Sequence, residues 1–349
     1  MEDLYICSPY LSTNEKTGNN RSVLINHLTA RAVALGNNEV ELLHSRHSPH
    51  HISFFLESFG TVVVDRWIQK KLLLPYHTVW EDYTYYITHG VADETARKIA
   101  RKYSQWWCNR FDRVITPTGK TLDLLRKYGV EAPIDIIPSG MDIARFDPAR
   151  HDEAERLATR RECGLPERAP LLLNIGRIAK EKNLEQVMRV FPKLLNACPD
   201  VHFAIVGEGP MREDLGRMAE ELGVSRAVTL TGPKPWEKID RYYAMGDVFC
   251  SASHSETQGL TYVEAMASGL CVCAVNDPCL DGVVEDGVSG ILAGDSDESL
   301  LAALIRAFGE EGKRIAKTAA QYAAPFSTEG FAEKVEACYL KAIEAHKRG

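Results

Sequence analysis

Short apolar runs alternate with longer amphipathic stretches along almost the whole chain of 349 residues. The strand candidates of the first half are L-Y-I-C-S, V-E-L-L-H, L-L-L-P-Y-H, R-V-I-T-P and D-I-I-P-S, and helical stretches follow Arg21, Asp93 and Thr118. A helix between two strands returns the backbone to the same end of the sheet, so that successive strands become parallel. The alternation therefore predicts an α/β fold built from parallel sheets.

The length predicts two domains, because 349 residues exceed what one hydrophobic core usually supports. A charged, irregular segment from Met141 to Pro170, which includes Pro148 and Pro166, lies between two series of strand and helix candidates. We therefore expect an N-terminal Rossmann-like domain over residues 1–145 and a C-terminal one over 146–325. A ligand site is expected in the cleft between two such halves.

Composition excludes several classes of function. A net charge of −7 argues against general nucleic-acid binding, and no apolar run approaches the roughly 20 residues that span a bilayer. The first residues, M-E-D-L-Y-I-C-S, lack the basic start and long apolar core of a signal peptide. The nine cysteines show no C-x-x-C spacing, and Cys250, Cys271 and Cys273 fall in strand-like runs, as is typical of buried thiols in a reducing compartment. These observations predict a cytoplasmic protein.

Residues 251–269, S-A-S-H-S-E-T-Q-G-L-T-Y-V-E-A-M-A-S-G, place Glu256 and Glu264 eight positions apart around a glycine turn. An apolar run that ends at Cys250 precedes this turn, and a helix pattern begins at Leu260. The turn thus follows the carboxyl end of a strand, where open α/β sheets bind ligands. A helix start offers N–H groups to a diphosphate, and carboxylates accept hydrogen bonds from sugar hydroxyls. The spacing alone is typical of two solvated charges, but in this setting the segment predicts a nucleotide-sugar site.

A second polar turn, G-R-I-A-K-E-K-N (176–183), lies where another strand ends and a helix begins. Its Arg177 and Lys182 could converge on one diphosphate, the arginine through its planar fork and the lysine as a point charge. Basic loop residues are more often solvated, but these two fall in the same predicted domain as the glutamate pair. The following G-E-G-P (207–210) predicts a turn at Gly207 that lets the backbone approach a ligand.

These motifs together resemble the retaining family-4 glycosyltransferases of the GT-B fold. The resemblance rests on G-R-I-A-K-E-K-N, A-I-V-G-E-G-P and S-E-T-Q-G-L-T-Y-V-E-A-M-A-S-G. Bacterial enzymes that glucosylate or galactosylate diacylglycerol are similar in S-E-T-Q-G-L-T-Y-V-E-A-M, H-T-V-W-E-D-Y (77–83), F-D-R-V-I-T-P-T-G-K (111–120) and I-P-S-G-M-D (137–142). The resemblance implies two Rossmann-like domains that face a central cleft, with the C-terminal helix, residues 326–349, crossing back to the N-terminal domain.

The resemblance also implies a role for each motif residue. Glu264 holds the ribose hydroxyls of the donor, and Glu256 contacts the donor sugar. Arg177 and Lys182 neutralise the diphosphate leaving group, while His77 faces the donor sugar across the cleft. The residues expected to carry catalysis are His77, Arg177, Lys182 and Glu256. The remaining donor-site residues are Gly18, Gly176, Gly207, Gln258, Gly259 and Leu260, and those expected near the acceptor are Glu81, Asp82 and Tyr83.

The reaction implied by the resemblance is transfer of a hexose, with glucose expected, from a UDP-sugar to a lipid such as diacylglycerol, with retention of configuration. Two fixed cations and a helix start can stabilise the departing diphosphate, so neither a metal nor another cofactor is expected. Two alternatives stay open: a different acceptor in cell-surface glycan synthesis, and nucleotide-sugar binding without turnover. The second alternative arises because the N-terminal domain is shorter than in the family, with the shortfall between Leu43 and His47.

The segment A-R-K-I-A-R-K-Y-S-Q-W-W-C-N-R (96–110) combines five basic residues with two tryptophans. Such a helix can lie in a membrane interface or pack in the core with a basic outer face. We favour the core interpretation, because Ile99, Tyr103 and Trp106 form one helical stripe. The segment from Arg66 to Lys127 is nevertheless basic, with twelve Lys/Arg and six Asp/Glu residues. We therefore keep an anionic membrane surface as a further partner, and the inner face of the plasma membrane as the place of peripheral attachment.

Overall fold

The computed structural model describes residues 4–7, 40–42, 62–65, 71–76, 79, 81 and 93–348. The chain divides into two compact units, one formed by residues 1–141 with 328–349 and the other by residues 142–327. The boundaries expected from the sequence are 145/146 and 325/326. Each unit contains a six-stranded sheet and helices, so the fold class is α/β.

The sheet of the first unit is mixed. In the order β2-β1-β3-β4-β5-β6, its strands are β1 (Leu4–Cys7), β2 (Val40–Leu42), β3 (Val62–Asp65), β4 (Lys71–Pro75), β5 (Phe111–Thr116) and β6 (Ile134–Ile136). Strand β3, which was not among the sequence candidates, runs antiparallel to both β1 and β4. Residues 66–70 between β3 and β4 are too few for the crossover of roughly a dozen residues that parallel strands need. The first sheet therefore differs from the expected parallel arrangement at β3.

The described helices of the first unit are α1 (Asp93–Cys108), α2 (Gly119–Lys127) and the last helix of the chain, α11 (Thr328–Arg348). Helix α2 begins after Thr118, whose hydroxyl accepts a hydrogen bond from the Thr121 backbone N–H. Helix α11 packs against β4 and β5, where Cys338 joins Ile115 and Ile137 in a buried cluster. The end of the chain therefore belongs to the first unit.

Helix α1 buries a different stripe from the one that the sequence pattern indicates. Ile99, Tyr103 and Trp106 are 63, 38 and 49 % exposed, respectively. The buried side of α1 carries Ser104 and Cys108, and the Ser104 hydroxyl lies 3.1 Å from the hydroxyl of Tyr76. The core interpretation of the aromatic stripe is therefore wrong. The helix packs through Ser104 and Cys108 and through the partly buried Trp107, whose ring lies 5.4 Å from that of Phe111.

The sheet of the second unit is parallel throughout. In the order β12-β11-β10-β7-β8-β9, its strands are β7 (Leu171–Ile175), β8 (His202–Val206), β9 (Val228–Gly232), β10 (Val248–Ser251), β11 (Cys271–Val275) and β12 (Gly290–Ala293). Every residue of β7, β8, β10 and β11 is buried, as expected for strands covered by helices on both faces. Because β10, β7 and β8 are neighbours, the turns that follow them share one edge of the sheet.

The described helices of the second unit are α3 (Glu153–Glu162), α4 (Leu184–Ala197), α5 (Arg212–Glu221), α6 (Ile239–Ala244), α7 (Leu260–Ala267), α8 (Asp297–Phe308), α9 (Glu310–Ala316) and α10 (Ala319–Ala323). Helix α3 lies in the charged segment that the sequence indicates as a loose boundary. Its buried Arg160 donates to the Asp247 carboxylate at 2.9 Å and to the Met245 backbone carbonyl at 2.8 Å. The segment is thus an ordered part of the second unit. It is attached through Arg160, and the amino-acid composition of the segment does not show that this arginine is buried.

Replacing Arg160 with alanine should lower the free energy of unfolding by about 3 kcal/mol, because the change removes buried charge-assisted hydrogen bonds and leaves carbonyls without donors. Urea denaturation measures the loss. The matched control is Arg161→Ala, which removes an ion pair to Glu167 whose partners are 57 and 43 % exposed. That control should cost less than about 1 kcal/mol. Equal losses in the two variants would contradict the role given to Arg160.

Candidate active site

The glycine turn before α7 has the geometry that the sequence predicts. Gly259 adopts φ +68° at the helix start, and a Cβ atom there would lie 2.3 Å from the Tyr262 ring. Only glycine fits this position without displacing a buried aromatic side chain. Gln258 is buried beside it, and Leu260, the first helical residue, is partly exposed. The backbone N–H groups of the first turn of α7 therefore begin at the carboxyl edge of β10.

The turn after β7 meets this segment through an ion pair. Lys182 Nζ donates to Glu256 Oε1, and the two side chains are 28 and 16 % exposed. A second hydrogen bond links the two segments, because the Ser253 hydroxyl donates to the Glu181 backbone carbonyl at 3.2 Å. Asn183, with φ +49°, ends the short 3-10 turn that carries Lys182 and donates to the Ala252 carbonyl at 3.3 Å. Two segments more than 70 positions apart thus form one polar surface.

Arg177 also pairs with a glutamate. Its guanidinium donates to Glu181, and the arginine side chain is 43 % exposed. Ion pairs this exposed contribute about 0–1 kcal/mol, so exchanging a glutamate for a more highly charged anion costs little. Arg177 is therefore held in position by a partner that it can release, whereas the Lys182–Glu256 pair is more deeply buried.

The glycine turns after β7 and β8 pack against each other. A Cβ atom on Gly207 would lie 1.9 Å from the Gly176 carbonyl oxygen, and one on Gly209 would lie 2.2 Å from that of Ile178. The Gly207 turn therefore permits close approach of the neighbouring backbone, an alternative to the ligand approach predicted for it. A Cβ on Gly176 would meet no atom within 4 Å.

Glu264 occupies the most unusual environment of the site. It is 5 % exposed, and its carboxylate accepts a hydrogen bond of 2.6 Å from the hydroxyl of the fully buried Tyr243. The Tyr243 ring packs 5.6 Å from the ring of Phe146 and 6.0 Å from that of Phe249. Among the described residues, Tyr243 is the one side-chain donor to this carboxylate. One carboxylate oxygen is thus positioned by protein, and the group retains capacity to accept further hydrogen bonds.

Burial raises the pKa of Glu264 to about 7, and the Tyr243 hydrogen bond and the positive charge of Arg145 oppose that rise. The same burial, with the neighbouring carboxylate, raises the pKa of Tyr243 well above its usual value, so this residue stays a donor. Arg145 donates to the Trp236 carbonyl, and its guanidinium lies 5.0 Å from the centre of the Trp236 ring. Sequence reasoning missed both Tyr243 and Arg145, since neither belongs to a glycine turn or a carboxylate pair.

Several predicted residues fall outside this description. Gly18, His77, Asp82 and Tyr83 lie outside the described residues. Of the residues expected near an acceptor, Glu81 is described, and its half-buried carboxylate accepts a hydrogen bond from Arg101 of α1. The described part of the site is therefore the half that the sequence predicts to bind the donor, with Arg177, Lys182, Glu256, Glu264 and the start of α7.

The chain is similar in sequence to known proteins. Residues 155–324 match the family model of glycosyl transferases group 1, and residues 14–145 match that of glycosyltransferase family 4. The chain is 32 % identical over 290 residues to an alpha-monoglucosyldiacylglycerol synthase of Streptococcus pneumoniae, covering 82 % of this chain and 65 % of that one. It is 28 % identical over 306 residues to the enzyme of the same name from Acholeplasma laidlawii, covering 85 and 76 %. The chain thus spans just under two thirds of the pneumococcal relative.

Solved structures show the same architecture. HepE of Anabaena in complex with UDP-glucose matches with a TM-score of 0.66 at 16 % identity, covering 99 % of this chain and 100 % of that one. Sucrose-phosphate synthase of Thermosynechococcus elongatus matches with a TM-score of 0.65 at 21 % identity, covering 96 and 81 %. The fold is that of the GT-B class. The chain belongs to the group 1, family 4 glycosyltransferases.

Glu264→Gln should stabilise the protein at alkaline pH. The pKa of this carboxyl is about 7 in the folded chain against an ordinary 4.5, so folded protein binds more protons than unfolded protein between these values and the wild type loses stability as pH rises. Glutamine does not ionise and still accepts from Tyr243. We expect a gain of about 3 kcal/mol at pH 8 that vanishes near pH 4.5, measured by urea denaturation. Glu256→Gln, which removes a half-buried ion pair, should give no gain, and a pH-independent effect of Glu264→Gln would contradict the assignment.

Proposed function

We propose that this protein is a retaining hexosyltransferase that moves glucose from UDP-glucose to a lipid such as diacylglycerol, without a metal ion or other cofactor. One observation carries the proposal: two cations, two carboxylates and a glycine-capped helix start converge on one edge of the second sheet. Such an edge is where open α/β sheets bind nucleotides. The names of two relatives, both alpha-monoglucosyldiacylglycerol synthases, support the choice of donor sugar and acceptor.

In the proposed complex, Glu264 accepts hydrogen bonds from the ribose hydroxyls. A vicinal diol offers two donors, and a carboxylate held by Tyr243 is already oriented for them, so little conformational entropy is lost on binding. Glu256 contacts the sugar, and the backbone from Gln258 to Leu260 donates toward sugar hydroxyls and phosphate. The helix start contributes a partial positive charge at the same place.

The chemistry follows from the same groups. The bond between the anomeric carbon and the diphosphate breaks while the acceptor oxygen approaches from the same face, and the acceptor proton passes to the leaving phosphate. Arg177 and Lys182 exchange their glutamates for the diphosphate and stabilise the negative charge that develops on it. Glu256, released from Lys182, becomes available to the sugar. From the motif H-T-V-W-E-D-Y (77–83), we assign His77 to the donor sugar.

The acceptor is the less constrained half of the proposal. A relative of Corynebacterium jeikeium, 32 % identical over 247 residues that cover 68 % of this chain and 58 % of that one, is named D-inositol 3-phosphate glycosyltransferase. Its name favours a second candidate, transfer to an acceptor other than diacylglycerol, as in cell-surface glycan synthesis. Nucleotide-sugar binding without turnover is the third.

The function is tested by incubating the protein with UDP-glucose and vesicles that contain diacylglycerol, and by detecting glucosyldiacylglycerol with mass spectrometry. We expect product from the wild type. Glu264→Ala should weaken UDP binding by at least about tenfold, or 1.4 kcal/mol, in calorimetry. His77→Ala should bind UDP normally and lose transfer, because it acts on the sugar.

Other outcomes of this experiment distinguish the three candidate functions. Release of UDP with an inositol phosphate or with membrane glycans, and none with diacylglycerol, supports the second candidate. UDP-glucose binding without UDP release with any acceptor supports the binding protein. Equal loss of UDP binding in both variants would contradict the roles given to Glu264 and His77.

We further propose peripheral attachment of the protein to the cytoplasmic face of the plasma membrane through α1. No helix among the described residues is long and apolar enough to cross a bilayer. The aromatic face of α1, formed by Ile99, Tyr103 and Trp106 with the exposed Lys102 and Arg110, combines apolar and basic groups on one side. The Arg110 guanidinium lies 4.0 Å from the centre of the Trp106 ring. Aromatic side chains flanked by cations favour the interface of anionic lipids.

Ile99→Ser combined with Trp106→Ser should reduce binding to phosphatidylglycerol vesicles by at least about tenfold, since each apolar side chain buried in lipid contributes about 1.5–3 kcal/mol. Vesicle sedimentation measures the partitioning. Ile305→Ser with Leu340→Ser is the matched control, because these two residues are also exposed, at 40 and 48 %, but lie on other helices. A similar loss in the control pair, or equal binding to neutral vesicles, would overturn the proposal.

A further inference from the structure

The second unit has a cavity of about 730 Å³ on the sheet edge opposite the donor site. Its lining includes Pro170, Val201, Asp247 and Leu270, which directly precede β7, β8, β10 and β11. The cavity therefore opens at the amino ends of these strands, whereas the donor residues follow their carboxyl ends. Its volume is in the range of small-molecule sites.

The acidic charge in this cavity is already neutralised. Asp247 is the single acidic residue among the described residues that line it. Its carboxylate accepts from Arg160 at 2.9 Å and from the Leu171 backbone N–H at 2.8 Å. Arg160 in turn donates to the carbonyls of Glu167 and Ala169, at 2.9 and 2.8 Å. Arg160 and Asp247 thus form a closed structural pair.

Basic charge in the cavity exceeds acidic charge. Arg156, Arg168 and Lys317 all line it, and none of the three forms an ion pair within 4 Å in the described part of the chain, although the charge of Lys317, after that of Lys313, helps to lower the pKa of Glu310. A fourth cation, Lys313, pairs with Glu310 at 2.7 Å. The three unpaired cations come from α3, from the segment before β7 and from the end of α9, so the fold brings together charges that are far apart in sequence.

Helix ends offer a competing reason for these cations. Residues at the C-terminal ends of four helices, α4, α6, α7 and α8, line the cavity. The backbone carbonyls at these helix ends carry partial negative charge. Arg160 already donates to the Met245 carbonyl at the end of α6. Within the described residues, Arg156, Arg168 and Lys317 donate to no helix-end carbonyl. Full charges held by side chains also act over a longer range than helix ends, whose effect falls off within one turn.

The remaining lining is apolar, apart from one buried hydroxyl. Val201, Leu270, Ala307 and Phe308 contribute hydrocarbon surface. The Ser268 Oγ atom is buried and has no hydrogen-bond partner among the described residues. A buried hydroxyl without a partner costs about 1–3 kcal/mol, a cost that an incoming acceptor or donor removes. The cavity therefore offers cations, one unsatisfied polar group and an apolar wall to the same occupant.

We propose that this cavity binds a small organic anion, a phosphate or carboxylate group on an apolar body, at a site separate from the donor site. The anionic group lies among Arg156, Arg168 and Lys317, and the apolar body lies against Val201 and Phe308. Binding here does not require the glycosyl-transfer activity proposed above.

Calorimetric titration of the full chain with phenyl phosphate tests the proposal, with excess UDP present to occupy the donor site. We expect saturable binding of phenyl phosphate and none of benzyl alcohol, which has a similar apolar body without the charge. The triple variant Arg156→Ala, Arg168→Ala, Lys317→Ala should raise the Kd at least about tenfold, or 1.4 kcal/mol. The control triple Lys193→Ala, Arg226→Ala, Lys238→Ala removes the same charge from exposed positions elsewhere in the unit and should leave the Kd unchanged.

Equal weakening in the two triple variants would show that phenyl phosphate responds to net charge alone, and this would overturn the proposal. Absence of binding to the wild type would do so as well. If the first triple variant loses thermal stability while the wild type binds no phenyl phosphate, the cations serve the helix ends instead. Since the result compares two triple variants under the same UDP concentration, it stands whether or not the protein transfers glucose.

Discussion

The buried hydrogen bond between Tyr243 and Glu264 is the interaction around which the second unit is organised. A carboxylate removed from water loses its hydration, and the rise of its pKa to about 7 shows that this loss is not fully compensated. The carboxylate stays buried because its partner Tyr243 is fixed between the rings of Phe146 and Phe249. Phe146 lies near the start of the unit, and Phe249 lies in the central strand β10. Stability is given up where a ligand that offers hydroxyl donors would restore it.

The two ion pairs of the site have the opposite character. Lys182 with Glu256 and Arg177 with Glu181 are more exposed than Glu264, and the Arg177 pair, in which the arginine is 43 % exposed, contributes little to stability. In the function that we propose, each glutamate holds a flexible cationic side chain of the turn after β7 in position for the diphosphate. In the proposed complex, the rigid part of the site therefore contacts the ribose, and the more exposed part contacts the phosphate and the sugar.

Helices α1 and α3 show where a sequence pattern stops being informative. Both have mixed composition, and periodicity identifies a stripe without saying what covers it. In α1 the small residues Ser104 and Cys108 pack inward and leave the aromatic stripe exposed. In α3 the contact that attaches the helix is made by a charged residue, Arg160, whose burial depends on Asp247, nearly 90 positions away.

The sequence by itself determined the α/β class, the parallel second sheet, the turns that carry Arg177, Lys182 and Glu256, and the helix that carries Glu264, because periodicity, glycine and residue spacing are local properties. Strand β3 was missed, so the antiparallel part of the first sheet came from the structure. Only the tertiary structure decided which carboxylate is buried and which is paired, that Tyr243 holds Glu264, and that three cations with no ion pair among the described residues line one cavity at the opposite edge of the sheet. Burial and long-range charge pairing depend on which segments become neighbours, and no local pattern contains that information.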